Sequence, residues 1–264
     1  MSPILASHLS MLAPSLLPYA ARMIRHDREG LRVLLWHNVE PDGGDRYTTR
    51  LADFERQLRW LRDNRYCVLP FSEVLRRHAA EQPLPPRSVV LTFDDACAPF
   101  TRYALPALER AGFGATMMVP VGCVCGADSE TAPVPGRMSI RDLDRLPESI
   151  EIGLHSFAHN NYRELDEEEI DRDVRRCAEL QSRLSRPITP VLAYPFGGLP
   201  RRSARRRRLQ RTLADCGVAL GLRIGYGINP WPLRDWWRVR RITIHGTDSF
   251  IRYACKVTFG RVRL

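Results

Sequence analysis

The chain has 264 residues, 44% hydrophobic and 27% charged, with 40 Lys+Arg against 30 Asp+Glu and a net charge of +10. That is globular composition; it excludes collagen, long coiled coil and an intrinsically disordered chain, and the length suits one large domain or two small ones. Every basic residue except Lys256 is arginine, and the positive excess attracts anionic partners over roughly a Debye length.

Residues 1–30 form an N-terminal segment, mildly apolar over 4–21 but interrupted by Pro14 and Pro18. It has neither a basic start nor an unbroken apolar core, so it makes a poor signal peptide and reads either as a packing segment or as a membrane-surface helix. No apolar run reaches the ~18 residues of a membrane span. Seven cysteines, at 67, 97, 123, 125, 177, 216 and 255, are an odd number spread through a large chain and form no disulfide framework. Free thiols without an export signal place the expected location in the cytoplasm or on the cytoplasmic face of the membrane.

Residues 31–264 are expected to form a single α/β domain. Apolar runs at 32–36, 66–69, 88–93, 114–119, 150–154, 189–194, 218–222 and 239–244 read as buried strands. Helical patterns lie between most of them. The segment 51–65 carries Leu51, Phe54, Leu58 and Leu61 on one face, and 165–184 opens with Asp166 before three glutamates and stops at Pro187. Strands alternating with helices imply parallel βαβ units, hence a closed or nearly closed (β/α) barrel, with a doubly wound open sheet as the alternative. In such barrels the reactive groups sit at the C-terminal strand ends. Five of the eight runs lead into suitable residues: His37, Asp94-Asp95, His155 with His159, Pro195-Phe196-Gly197, and His245.

Asp94-Asp95 either caps the next helix or shares a cation, which would offset the repulsion of two adjacent carboxylates. His155 and His159, at i and i+4, lie on one face of a helical turn, either as solvated residues or as ligands of one metal. The residue after His155 is Ser156, so the pair is not the zinc-protease motif. Two His plus one Asp leave a coordination position for water, as in hydrolytic Zn²⁺ sites; the same set suits Fe²⁺ oxygen chemistry. The second carboxylate favours hydrolysis, which needs a base.

Thr92-Phe93-Asp94-Asp95-Ala96, His155-x-x-x-His159 and Tyr194-Pro195-Phe196-Gly197, in that order and spacing, resemble the motifs of the polysaccharide deacetylases, carbohydrate esterase family 4. The sequence Leu34-Leu35-Trp36-His37-Asn38-Val39 resembles the Tyr-His-x-Val opening of one branch, and the likeness spans about residues 32–245. The resemblance implies a distorted (β/α)7 barrel and a metal-dependent amidohydrolase that removes N-acetyl groups from amino sugars of a polysaccharide or glycolipid. It implies Asp95, His155 and His159 as ligands of a divalent metal, most simply Zn²⁺, and Asp94 as the base. It places Tyr194, Pro195, Phe196 and Gly197 on the substrate groove, with the Phe196 N–H toward the oxyanion. His37 is the preferred acid and His245 its competitor.

Two positions depart from the family pattern. Ala96 replaces the usual Gly, and Ala193 replaces an Arg that often pairs with the base. Arg241 is a candidate substitute for that Arg and is grouped with the substrate-binding residues, as is Trp236. Trp236 and Trp237 either stack on a sugar or belong to the core, and Asp235 either orients the acid or lines the groove. Cys123-Val124-Cys125 lacks the second cysteine pair that a metal site needs, and Cys97 reads as a small buried side chain. Residues 201–211 hold seven arginines, a solvated helix face or an attractor for lipid-linked phosphates or an acidic leaflet. No aromatic interleaving accompanies the run, so specific nucleic-acid binding is not expected. The rival readings are a catalytically inactive carbohydrate-binding relative and a deacylase acting on another amide, such as a formamide.

Overall fold

The structure, a computed structural model, describes residues 30–124 and 135–261; the expectations for residues 1–29, and Cys125, lie outside them. In chain order, β1 (Arg32–Trp36) leads through the short β2 (Asn38–Glu40) and β3 (Thr48–Arg50) into α1 (Leu51–Asp63). β4 (Cys67–Val68) precedes α2 (Phe71–Ala79), and β5 (Ser88–Asp94) runs through a π-helical turn (Phe100–Ala104) into α3 (Leu105–Ala111). Next come β6 (Ala115–Val119), α4 (Val121–Val124), α5 (Ile140–Asp144), β7 (Ile150–Leu154), α6 (Glu167–Cys177) and α7 (Glu179–Arg183). The last part holds β8 (Val191–Ala193), a 3-10 turn (Pro195–Gly197), α8 (Ser203–Asp215), β9 (Leu220–Ile224), β10 (Val239–Thr243) and α9 (Phe250–Phe259).

Seven parallel strands close into a barrel in the order β1-β10-β9-β8-β7-β6-β5, with β1 pairing back onto β5 from Arg32↔Val89 to Trp36↔Phe93. One of the eight apolar runs, 66–69, is no barrel strand: β4 only extends the lower end of β5, at Cys67↔Ser88 and Val68↔Val89. The barrel is distorted where β7 meets β8, which share a single paired position, Leu154↔Leu192. The helix expected over 165–184 breaks into α6 and α7 at Ala178, and Asp166 caps it as anticipated, accepting from the N–H groups of Glu168 and Glu169.

The period of two in each strand sorts side chains into two cores. Leu31, just before β1, and Val33 on it, with Val90, Met118, Val191, Leu222 and Val239, face the barrel interior, while Leu34, Trp36, Leu91 and Phe93 face the helices. Phe71 and Val74 of α2 join the interior core and close the barrel bottom. Glu151, pointing inward from β7, accepts from the N–H groups of Phe71 (2.7 Å) and Ser72 (2.9 Å) and so caps the α2 N-terminus. The bottom is therefore sealed, and the polar residues that continue the inward phase, Asp94 on β5, Arg241 and Thr243 on β10, gather toward the open mouth.

Candidate active site

Asp94 is the last residue of β5, in phase with Val90 and Thr92, and is 2% exposed. Its partner is Arg241, fully buried on β10: Nη1 donates to Oδ1 at 2.6 Å and Nη2 to Oδ2 at 2.8 Å. Burial alone would raise the Asp94 carboxyl; the charges of Arg241, His155 and His37 overcome it and hold the pKa below the ordinary value. Asp95 follows in the left-handed region, φ 76°, which swings its carboxylate away from Asp94. Ala96 is left-handed too, φ 49°. Its methyl is carried in a conformation in which Gly would be free, at a cost of about 1–2 kcal/mol. Backbone bonds hold it there: Met138 N–H donates to Ala96 O (2.8 Å), and Cys97 bridges to Arg137. Arg137 donates to Asp95 O (3.0 Å) and Cys97 Sγ (3.1 Å) and lies 3.4 Å from Asp95 Oδ2. Burial raises the half-buried Cys97 thiol to about 11, so it is no nucleophile at neutral pH.

His155 and His159 do converge, but not on a helix. The segment between β7 and α6 is a loop with Ser156 at φ 63° and His159 at φ 57°, so the i, i+4 spacing works through two left-handed residues. Asp173 on α6 braces that loop, accepting from the N–H groups of Phe157 and Ala158 (each 2.9 Å) and from the Tyr162 hydroxyl (2.7 Å). Asp173 was not anticipated. Its signal was an acid between Ile170, Val174 and Cys177 on the buried stripe of α6.

The rings and one carboxylate meet. Asp95 Oδ1 lies 3.1 Å from His159 Nε2 and 3.6 Å from His155 Nε2, and the three ligand atoms all lie within 4.8 Å of one another. A tetrahedral ion with bonds of about 2.0–2.1 Å spaces its ligand atoms by about 3.3 Å. His155 Nδ1 sits 2.7 Å from Ala193 O; donating there leaves Nε2 bare for a cation. Burial, outweighing the two aspartates, lowers the His155 pKa, so the ring is neutral at pH 7. Asp95 Oδ1 is buried without a hydrogen-bond partner, an acceptor that a cation would satisfy. The residues fit one divalent metal ion. His155→Ala is expected to reduce metal content and turnover together, read by elemental analysis after dialysis beside an activity assay; full occupancy in that variant would remove His155 from the ligand set.

The family profile for polysaccharide deacetylase matches residues 81–214, just over half of the chain, and contains both aspartates and both histidines of this cluster. The chain belongs to the polysaccharide deacetylase family. It is 34% identical over 95 residues to the poly-beta-1,6-N-acetyl-D-glucosamine N-deacetylase of Escherichia coli K12, a match covering 35% of this chain and only 14% of that protein. Solved deacetylase structures share the fold. The Streptococcus pyogenes deacetylase PplD in complex with acetate superposes with TM-score 0.69 at 19% identity, over 84% of this chain and 95% of that one. IcaB from Ammonifex degensii gives 0.68 at 21%, over 89% and 98%.

Several expected groove residues of this deacetylase-family chain lie elsewhere. Tyr194 and Pro195 are buried, and the Tyr194 hydroxyl, with burial raising its pKa, faces the protein rather than a groove. Phe196 is 64% exposed and sets its edge against His159, ring centroids 5.0 Å apart. At φ 57° its N–H stays outside the turn's two backbone bonds, Gly197 N–H to Tyr194 O and Gly198 N–H to Pro195 O. Arg241 is not a substrate residue, since both its terminal nitrogens bind Asp94 in the interior; it supplies from β10 the guanidinium missing at Ala193. Trp236 precedes β10, at the sealed end, and packs tilted against the His78 ring on α2, centroids 3.8 Å apart, remote from the mouth. Trp237 packs on the outer core. Asp235 accepts from Trp237 N–H and orients no histidine.

His37 and His245 both continue the inward phase of their strands to the mouth. His37 lies edge-on to Tyr47, ring centroids 5.2 Å apart. The turn after His245 is fixed by buried Asp248, which accepts from His245 N–H at 2.9 Å and from Lys256, whose ammonium also donates to Thr243 O at 2.8 Å. Gly246 is pressed so closely on the β2–β3 loop that a Cβ would sit 2.0 Å from Thr48 O. Burial first, then Lys256, lowers the His245 pKa.

Proposed function

We propose that this chain is a metal-dependent amidohydrolase that removes N-acetyl groups from amino sugars of a polysaccharide or glycolipid. The observation that carries the reading is the juxtaposition of the Asp95–His155–His159 cluster with Asp94, a second carboxylate kept ionised and oriented by Arg241. A bound divalent metal, for which we infer Zn²⁺, supplies Lewis acidity toward the acetamide oxygen and the attacking water. Asp94 takes the water proton; each oxygen that accepts from Arg241 keeps a second lone pair for it. Arg241 thus trades some basicity for a carboxylate that stays charged in a buried position. The Phe196 N–H is the donor for the oxyanion of the tetrahedral intermediate. The amine leaves only when protonated, and His37 is our acid. Two His and one Asp would equally hold Fe²⁺, but oxygen chemistry needs no base locked beside the ligands. An inactive carbohydrate-binding relative would have little use for the full set.

The test is product identification by mass spectrometry on N-acetylated and N-formylated amino-sugar oligomers with metal-loaded protein. Loss of acetyl supports the reading, loss of formyl alone changes the acyl group, and an unchanged substrate set with intact metal binding favours the inactive relative.

The acid must begin the reaction protonated, so turnover falls as pH rises through its pKa. Burial and Lys256 disfavour the protonated form of His245 that an acid must offer, and Asp248, itself held by Lys256, fixes the His245 backbone N–H. His37→Ala is therefore expected to lose turnover by roughly 10²–10⁴-fold and to lose the alkaline limb, sparing metal content. His245→Ala should keep the limb. The opposite pattern across a pH series would reverse the assignment.

A further inference from the structure

Beside the mouth, on the far side of Phe196, lies a cleft of about 280 Å³ whose walls include Gly197 and the side chains of Arg163, Arg201, Arg206, Arg223 and Arg238, with no acidic residue among its lining. Two of the five share walls with an adjoining recess of about 520 Å³, which adds Arg202, Arg205 and a single acid, Glu164. The arginine run on α8 is thus divided. Arg208 is spent on Glu167 (2.7 Å) and Asp171 (2.7 Å) of α6, whereas the residues at the start of the run line the clefts, Arg205 donating to Leu165 O with Glu167 at 3.9 Å and Arg206 to Pro200 O. Among the described residues, Arg163, Arg201 and Arg223 make no ion pair with an acid, and Arg238 has only Asp235, at 3.7 Å on the surface. Burial, then repulsion from Arg238, Arg163 and Arg240, pushes the Arg223 guanidinium down. Like charges are gathered at some cost, with Asp235 at the surface as the nearby acid, in a recess that begins one residue from the ring packed on His159.

We propose that this cleft is a subsite for a phosphate group carried by the sugar substrate, holding the phosphate while the acetamide reaches the Asp95–His155–His159 cluster. The inference rests on the deacetylase reading of that cluster. Several guanidinium forks converging on one recess suit the many acceptor oxygens of phosphate better than the two of a carboxylate. The concave shape suits a ligand group entering the protein, whereas a membrane surface would meet a convex or flat face. Phosphate bound there relieves the repulsion within the cluster, so the subsite would discriminate by charge.

The experiment is calorimetric titration of metal-loaded full chain with N-acetylglucosamine 1-phosphate and with neutral N-acetylglucosamine, repeated with inorganic phosphate as competitor and with vesicles of phosphatidylglycerol. The wild type is expected to bind the phosphorylated sugar about tenfold more tightly than the neutral one. The preference should shrink as salt rises and under inorganic phosphate, and approach one in Arg163→Gln/Arg223→Gln. Arg163 is exposed, so Arg163→Gln alone keeps the test open if the double variant fails to fold; it should lose part of the preference. No preference in the wild type, or one that survives both variants, overturns the subsite. So does vesicle binding that depends on these arginines while the phosphorylated sugar shows no advantage. If the preference and its arginine dependence hold but no acyl group is released from any oligomer, the subsite stands and the deacetylase reading falls.

Discussion

Asp94→Asn is expected to lower turnover by about 10²–10⁴-fold while leaving metal content unchanged. Asn is isosteric and accepts from one Arg241 nitrogen through its carbonyl oxygen; its NH2 faces the other, and the buried guanidinium loses its counter-charge, so stability falls while the Asp95–His155–His159 ligands stay in place, and Asn cannot take a proton. Both Asp94 oxygens are engaged by Arg241, and the ligand atoms that gather within 4.8 Å of one another are those of Asp95, His155 and His159; none of the geometry demands Asp94 as a ligand. Steady-state kinetics beside metal analysis decides the matter. Parallel loss of metal and turnover would mean that both aspartates share the ion.

Arg241→Met is expected to destabilise the protein by about 3–5 kcal/mol, because it leaves a buried carboxylate unpaired. Chemical denaturation with and without a chelator measures it. The pH dependence identifies the cause. In the wild type the native Asp94 pKa is below its unfolded value, so the unfolded chain binds more protons and this stabilisation, present above the unfolded pKa near 4, is lost as pH falls through the folded one. In the variant, burial acts with less opposition and raises the Asp94 pKa. The penalty is then greatest at neutral pH and is relieved as Asp94 protonates. The stability gap between the two proteins should therefore narrow on acidification. Asp94→Asn/Arg241→Met should recover part of the loss, since no charge is left unpaired. A gap independent of pH, with no recovery in the double variant, would show that Arg241 acts by packing alone.

Much of this protein is local in its sequence. Apolar runs of strand length, the Asp166 cap and the amphipathic spacing of α1 each reflect a preference that a short segment expresses by itself, and the runs 32–36 and 239–244 already led into His37 and His245 at their ends. The motif order likewise marked Asp94, Asp95, His155 and His159. What sequence could not decide was which elements meet. The 66–69 run has the composition of a barrel strand, yet closure of β1 onto β5 leaves it outside the ring. The His155–His159 pair has helical spacing, but Asp173, contributed by α6, and two left-handed residues make it a loop. Tyr194 and Trp236 look like sugar-stacking aromatics because burial cannot be read from residue type. Arg241 stands 147 residues from Asp94 in the chain, and nothing local to either announces the pair. Only barrel closure sets β10 beside β1, and β1 beside β5, so that an inward arginine on one strand reaches an inward aspartate two strands away. Ion pairing inside a barrel is a property of that register, and register is decided by the whole ring.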